Sequence, residues 1–188
     1  MIRTISKFML VLAVVALLPQ QVFAAKKMRE EFPKVVEKEG RTLALRGTGV
    51  KTLIFMKAFS ARLYLEDRTA AADVLSDVPK HLDVKYFTHI PGRVLTDYTV
   101  TRMKLNITRQ EFADLKNEID LMGKYFVDLK VNDHFSLTYI PGVGTQFAHN
   151  GTLTGVIPGE KFGRALFSVW LGNKPFDRNL KQKILGLS

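Results

Sequence analysis

The run GVKTLIFMKAFSARLYLE, residues 49–66, places three cations, Lys51, Lys57 and Arg62, in one of the most apolar stretches of the chain. Apolar runs bury themselves, and a buried cation is costly unless it is paired. Such residues are either solvated decoration on a strand or the anion anchor of a pocket. The other chemistry-bearing residues are sparser. Of the four histidines, His81, His89, His134 and His149, none forms the i, i+4 helical pair of a zinc site. His81 and His89 share strand parity but would lie about 27 Å apart at ~3.4 Å per residue. Surface or turn positions are expected for all four. There is no cysteine, so there is no thiol nucleophile, disulfide or thiolate metal site. Neither a G-x-S-x-G elbow nor a G-x-x-x-x-G-K-[ST] loop occurs, and PGVGT reads as turn chemistry. No catalytic residue, metal or cofactor is assigned.

The elements that must position these residues begin after an N-terminal leader. Arg3 and Lys7 precede the apolar run Phe8 to Leu18, then Pro19 and Val22-Phe23-Ala24. This is the layout of a secretory signal peptide cleaved after Ala24, and the run is short against the ~20 residues that span a bilayer. Residues 1–24 are expected to be the leader and 25–188 a single domain, periplasmic or secreted, with no integral membrane segment after cleavage. Cleavage removes two basic residues and no acidic one, so the net charge falls from +10 to +8. That balance favours anionic partners. The cations are scattered among acids, as in KKMREEFPKVVEKEGR, and form no nucleic-acid stripe.

Hydrophobic period then divides the chain. RTLALRGTG alternates and ends at glycines, and residues 50–66 form one long strand or two joined by a bulge. TAAADVLSDVPK fits a short helix closed near Pro79. HLDVKYFTHI is a strand, broken by Pro91-Gly92, and 93–107 lean to a helix. Thr108-Arg109-Gln110-Glu111 is a capping box, followed by an apolar stripe from Phe112 to Leu129 at helical spacing. DHFSLTYI, TQFAH and TLTGVI form a meander, with Asn150-Gly151 as a hairpin turn. A helix bears Phe162, Ala165, Leu166, Val169 and Trp170 to Gly172, and a last helix runs from about Asp177 to Leu185, stopped by Gly186. This order is α+β: a large antiparallel sheet covered by a layer of helices.

GTGVKTLIFMKAFSARLYLE, YIPGVGTQFAHNGTLTGVIPG and FGRALFSVWLGNKPFDRNLKQKILGL together resemble the chalcone isomerase-like family, in its bacterial secreted branch, over about residues 35–186. The resemblance implies an open-faced β-sandwich with a ligand cleft between sheet and helices. Enzymatic members close a flavanone ring; others bind fatty acids. It also implies a site of an Arg after the glycine-rich turn, a strand Thr, a Tyr and an Asn on a helix, and a late-helix Thr. These positions fall on Lys51, Phe59, Tyr98 (one residue from the matched Thr99), Asn106 and Val169. Phe and Val in place of hydroxyl donors remove the stabilisation that a developing enolate needs, and Lys lacks the bidentate fork of Arg. Lys51 can still hold a carboxylate as a point charge.

The expectation is a non-catalytic protein binding a fatty acid or other amphipathic anion. Lys51 is its anchor, Tyr98 and Asn106 are donors, and Phe59, with Phe55 and Met56, is the apolar lining. The alternatives are an isomerase (intramolecular lyase) on another substrate, and an envelope interaction module that uses its positive charge.

Overall fold

Among the described residues, seven strands follow one another across an antiparallel sheet in the order of the chain: β1 (Val35–Lys38), β2 (Arg41–Leu53), β3 (Met56–Leu65), β4 (Lys80–Tyr86), β5 (His134–Ile140), β6 (Gly144–His149) and β7 (Thr152–Ile157). The structure, a computed structural model, describes residues 32–53, 55–67 and 69–187; the expected leader at 1–24 lies outside them. The long connection between β4 and β5 carries α1 (Gly92–Asn106), α2 (Arg109–Asp114) and α3 (Lys116–Tyr125), while α4 (Glu160–Leu171) and α5 (Arg178–Ile184) follow β7. The apolar sides of these helices and of the sheet meet in one core, with Leu63, Leu82, Met103, Met122, Phe147 and Phe167 fully buried. This is the α+β arrangement that the order of elements implied, in the open-faced form that the resemblance implied. Residues from Pro33 onward cluster as one compact unit.

Away from its bulges in β2 and between β6 and β7, the sheet alternates between two faces. Leu63 pairs with Leu82 and Leu82 with Leu137, all towards the helices, whereas Arg62, Asp83 and Ser136 form the neighbouring row on the opposite face. Two of the hairpin turns place both central residues at positive φ: Asn150-Gly151 at 49° and 81°, and Glu39-Gly40 at 48° and 70°. Asn-Gly announces such a turn; Glu does not, which hid β1 inside a mixed-charge lead-in.

Three local expectations change. Residues 50–66 are not a continuous strand: the chain reverses near Phe55, whose φ is 68°, and β2 and β3 pair with each other. TAAADVLSDVPK contains only a 3₁₀ turn, Ala71–Asp73. The capping box is present, with the Glu111 amide donating to Thr108 Oγ1 at 3.1 Å and the Thr108 amide to Glu111 Oε2 at 2.9 Å. The helix it starts is interrupted at Leu115, however, and its stripe finishes outside the helix, where Leu129 bridges to Ile90.

The glycines at 47 and 49 are not a turn either. They lie within β2, opposite Leu63 and Ala61 on the helix side. A Cβ on Gly47 would stand 2.2 Å from the Lys183 carbonyl oxygen, and one on Gly49 would stand 2.4 Å from the Leu180 side chain. Without side chains there, α5 lies directly on the strand. Lys51, opposite Phe59, is the next residue of that row and meets the beginning of α5.

Candidate functional site

Lys51, Phe59, Tyr98 and Asn106 come from β2, β3 and the two halves of α1, yet the structure gathers all four around the short segment that joins α4 to α5. Phe176 is the centre of the cluster. Its ring centroid is 5.4 Å from Phe59, 5.3 Å from Tyr98 and 5.8 Å from Trp170, and Lys51 Nζ lies 5.8 Å from it. Phe59 also packs on Tyr86 and Trp170, at 5.9 and 5.7 Å. These spacings and tilts are those that aromatic rings favour. The Phe176 ring thus fills an aromatic slot between sheet and helices, with an ammonium at one end.

The ammonium is already paired. Lys51 Nζ donates to Asp177 Oδ2 at 2.6 Å, and both side chains are about three-quarters buried. The other oxygen of the same carboxylate, Oδ1, accepts from the Leu180 amide at 2.9 Å and so caps α5. The Lys51 hydrogen bond, and then the Leu180 amide, hold the Asp177 carboxyl below the usual carboxylate range. Such charge-assisted bonds are stronger than neutral ones.

Asn106 acts on the loop itself. Its amide nitrogen donates to the carbonyls of Arg102 and Lys174, both at 2.9 Å, and its oxygen accepts from the Lys174 amide at 2.9 Å. Gly172 makes this clamp possible, because a Cβ there would sit 2.5 Å from Asn106 Oδ1. The Phe176 amide donates to Val169 at 2.6 Å, fixing where the ring enters the slot. Tyr98 is 37 % exposed, and its hydroxyl accepts from Arg102 Nε at 2.8 Å. Phe55 and Met56, expected to line the cleft, are 99 % and 73 % exposed. They form the hairpin tip, which the run of apolar residues alone did not reveal.

The sequence matches the chalcone isomerase-like family over residues 24–186. The chain belongs to that family. No curated protein matches it. Among solved structures it is similar to a fatty-acid binding protein of Arabidopsis thaliana, with 16 % identity and a TM-score of 0.63 over 82 % of this chain and 91 % of that one. Phe59 and Val169, where the resemblance implied hydroxyl donors, are both buried. The Tyr86 phenol is pushed far above its ordinary range, by burial first and by Asp83 second. It stays protonated at neutral pH and offers no base. Among the described residues no group of three or more His, Cys, Asp or Glu side chains could hold a metal ion.

A second polar cluster lies on the opposite face of the sheet, in a cleft of about 370 Å³ lined by Lys38, His81, Asp83, His134, Ser136, Asn150 and Gly151. Arg62 is 3 % exposed and donates to Asp83 at 2.7 Å, and Asp83 also faces His134 Nδ1 at 3.2 Å. The place of Arg62 beside Ser60 and Tyr64 suggested a snorkelling surface cation, and the structure instead buries and pairs it. His81, expected at the surface, is buried with its Nδ1 2.7 Å from Thr138 Oγ1. Burial, then Lys38, lowers its pKa to about 3, so it is neutral at physiological pH. The alternation His81, Asp83, Lys85 was the sequence signal for this row, but the partners that satisfy it come from other strands.

Proposed function

We propose that this protein binds a fatty acid or a similar amphipathic carboxylate in the slot beside Lys51, without catalysing a reaction on it. The observation that carries this reading is Lys51 itself: its ammonium stands on the helix-covered face of the sheet, at the end of a slot lined by Phe59, Tyr98 and Trp170. An apolar body in such a slot gives affinity and the single charge gives orientation. One solved structure to which the chain is similar is that of a fatty-acid binding protein, which supports the same reading. Against isomerisation stand the apolar Phe59 and Val169, where a developing negative charge would need donors. We place the protein in the periplasm or outside the cell, with cleavage near Ala24, on the N-terminal pattern.

The chain contains one tryptophan, Trp170, and it borders the slot, so its emission reports occupancy. Titration with laurate should shift that emission to saturation, and protein isolated from its own compartment should carry an acyl mass in native mass spectrometry. Lys51→Ala should weaken laurate roughly tenfold or more, the size of a lost hydrogen bond to a charged group. No response to laurate, in the wild-type chain or in one lacking the Asp177 carboxylate, would sink the proposal.

A further inference from the structure

The slot is occupied by the protein's own chain. An apolar ring, Phe176, fills the space between Phe59, Tyr98 and Trp170, and the next residue puts a carboxylate on Lys51. Together they have the composition of the ligand proposed above: an apolar body with an acid at its head. We infer that the segment Gly172–Asp177 is an internal stand-in for the ligand, and that an amphipathic carboxylate binds by displacing the Phe176 ring and the Asp177–Lys51 pair. This rests on the reading of the slot as a carboxylate site.

Three features make the displacement physically reasonable. The exchange is like for like: Lys51 passes from one carboxylate to another and is never left as an unpaired, partly buried cation, which is the costly state. The carboxylate of Asp177 divides its work between two oxygens, so it can release Lys51 and still cap α5. The segment also has an exposed part, Asn173 and Lys174, and Phe176 is only half-buried, unlike the sealed residues of the core. The geometry limits the ligand too. With Lys51 Nζ only 5.8 Å from the Phe176 centroid, the apolar body must begin directly beside the acid. That describes an unbranched fatty acid or an arylalkanoate, and excludes a carboxylate set among polar groups.

Asp177→Asn tests this cleanly, because Asn caps a helix as well as Asp does while the competing charge is gone. Followed through Trp170, laurate should bind this variant roughly tenfold more tightly than wild type, whereas methyl laurate, which brings no charge to Lys51, should gain little. In the wild-type chain, saturating laurate should also accelerate hydrogen exchange of the Phe176 amide, which is otherwise held by Val169. This second measurement needs no variant to fold. If laurate binds both proteins equally, or binds while the Phe176 amide keeps its protection, the stand-in is overturned and the binding reading survives. If neither protein responds to laurate, the binding reading fails and takes this inference with it.

Discussion

Lys51, Lys57 and Arg62 stand in one short apolar run and meet three different ends. Lys51 closes on Asp177, Lys57 is exposed beside the hairpin tip, and Arg62 is buried against Asp83. Nothing in the run distinguishes them, because each outcome depends on an acid contributed, or not contributed, by a distant segment. The histidines teach the same lesson. His81 looks like a polar residue on the wet side of a strand, yet it is 4 % exposed and its pKa lies at about 3, against an ordinary value of 6.5. The unfolded chain therefore takes up a proton at His81 that the folded chain refuses. With the folded pKa depressed, the unfolded state binds more protons through this window, so stability falls as pH falls below about 6.5. Between about pH 7 and about pH 5 the loss from this residue should be about 2 kcal/mol. Urea unfolding of wild type and His81→Gln at both pH values checks it: the variant should show a flatter dependence, whatever its absolute stability, and equal slopes would refute the assignment.

Among elements, those with their information in adjacent residues were the legible ones. The Thr108 capping box, the Asn150-Gly151 turn, the buried stripe of α4 and the Asp177 start of α5 are all present where the pattern put them. The Gly47–Gly49 stretch was misread as a turn because glycine has two uses: positive φ, and room for another backbone to approach. Here it is the second, and the reason is α5, more than a hundred residues away. Gly47→Ala should therefore destabilise the fold by about 2–3 kcal/mol, the range of a forced overpacking, because the clash is with helix backbone that cannot rotate aside. Gly40→Ala is the control. It meets no atom within 4 Å, and the left-handed φ alone should cost about 1 kcal/mol. Comparing their thermal or denaturant midpoints tests the packing role directly; equal losses would mean that α5 yields easily. Asn106 is the parallel case on a helix. The resemblance implied a donor to ligand, and the structure gives both ends of its amide to Lys174 in the loop beside the slot.

At the scale of the whole molecule, the absence of cysteine leaves no disulfide to hold the domain, and among the described residues an apolar core lies between sheet and helices. Among the described residues no helix is long and apolar enough to cross a membrane. If the leader acts as proposed, the protein recovered from outside the cytoplasm should begin at Ala25, and its intact mass should lack residues 1–24; a full-length mass there would refute cleavage. The sequence by itself determined the class of fold, the Thr108 capping box, the Asn150-Gly151 turn and the short roll of residues worth watching, because these follow from period and local hydrogen bonding. It also brought forward Lys51, Phe59, Tyr98 and Asn106 through family likeness. Only the tertiary structure decided what those four do together. Their shared neighbour is Phe176-Asp177, of which only the Asp177 helix start has a local signature, and the cluster around that pair exists only once α5 has settled on the bare strand at Gly47 and Gly49.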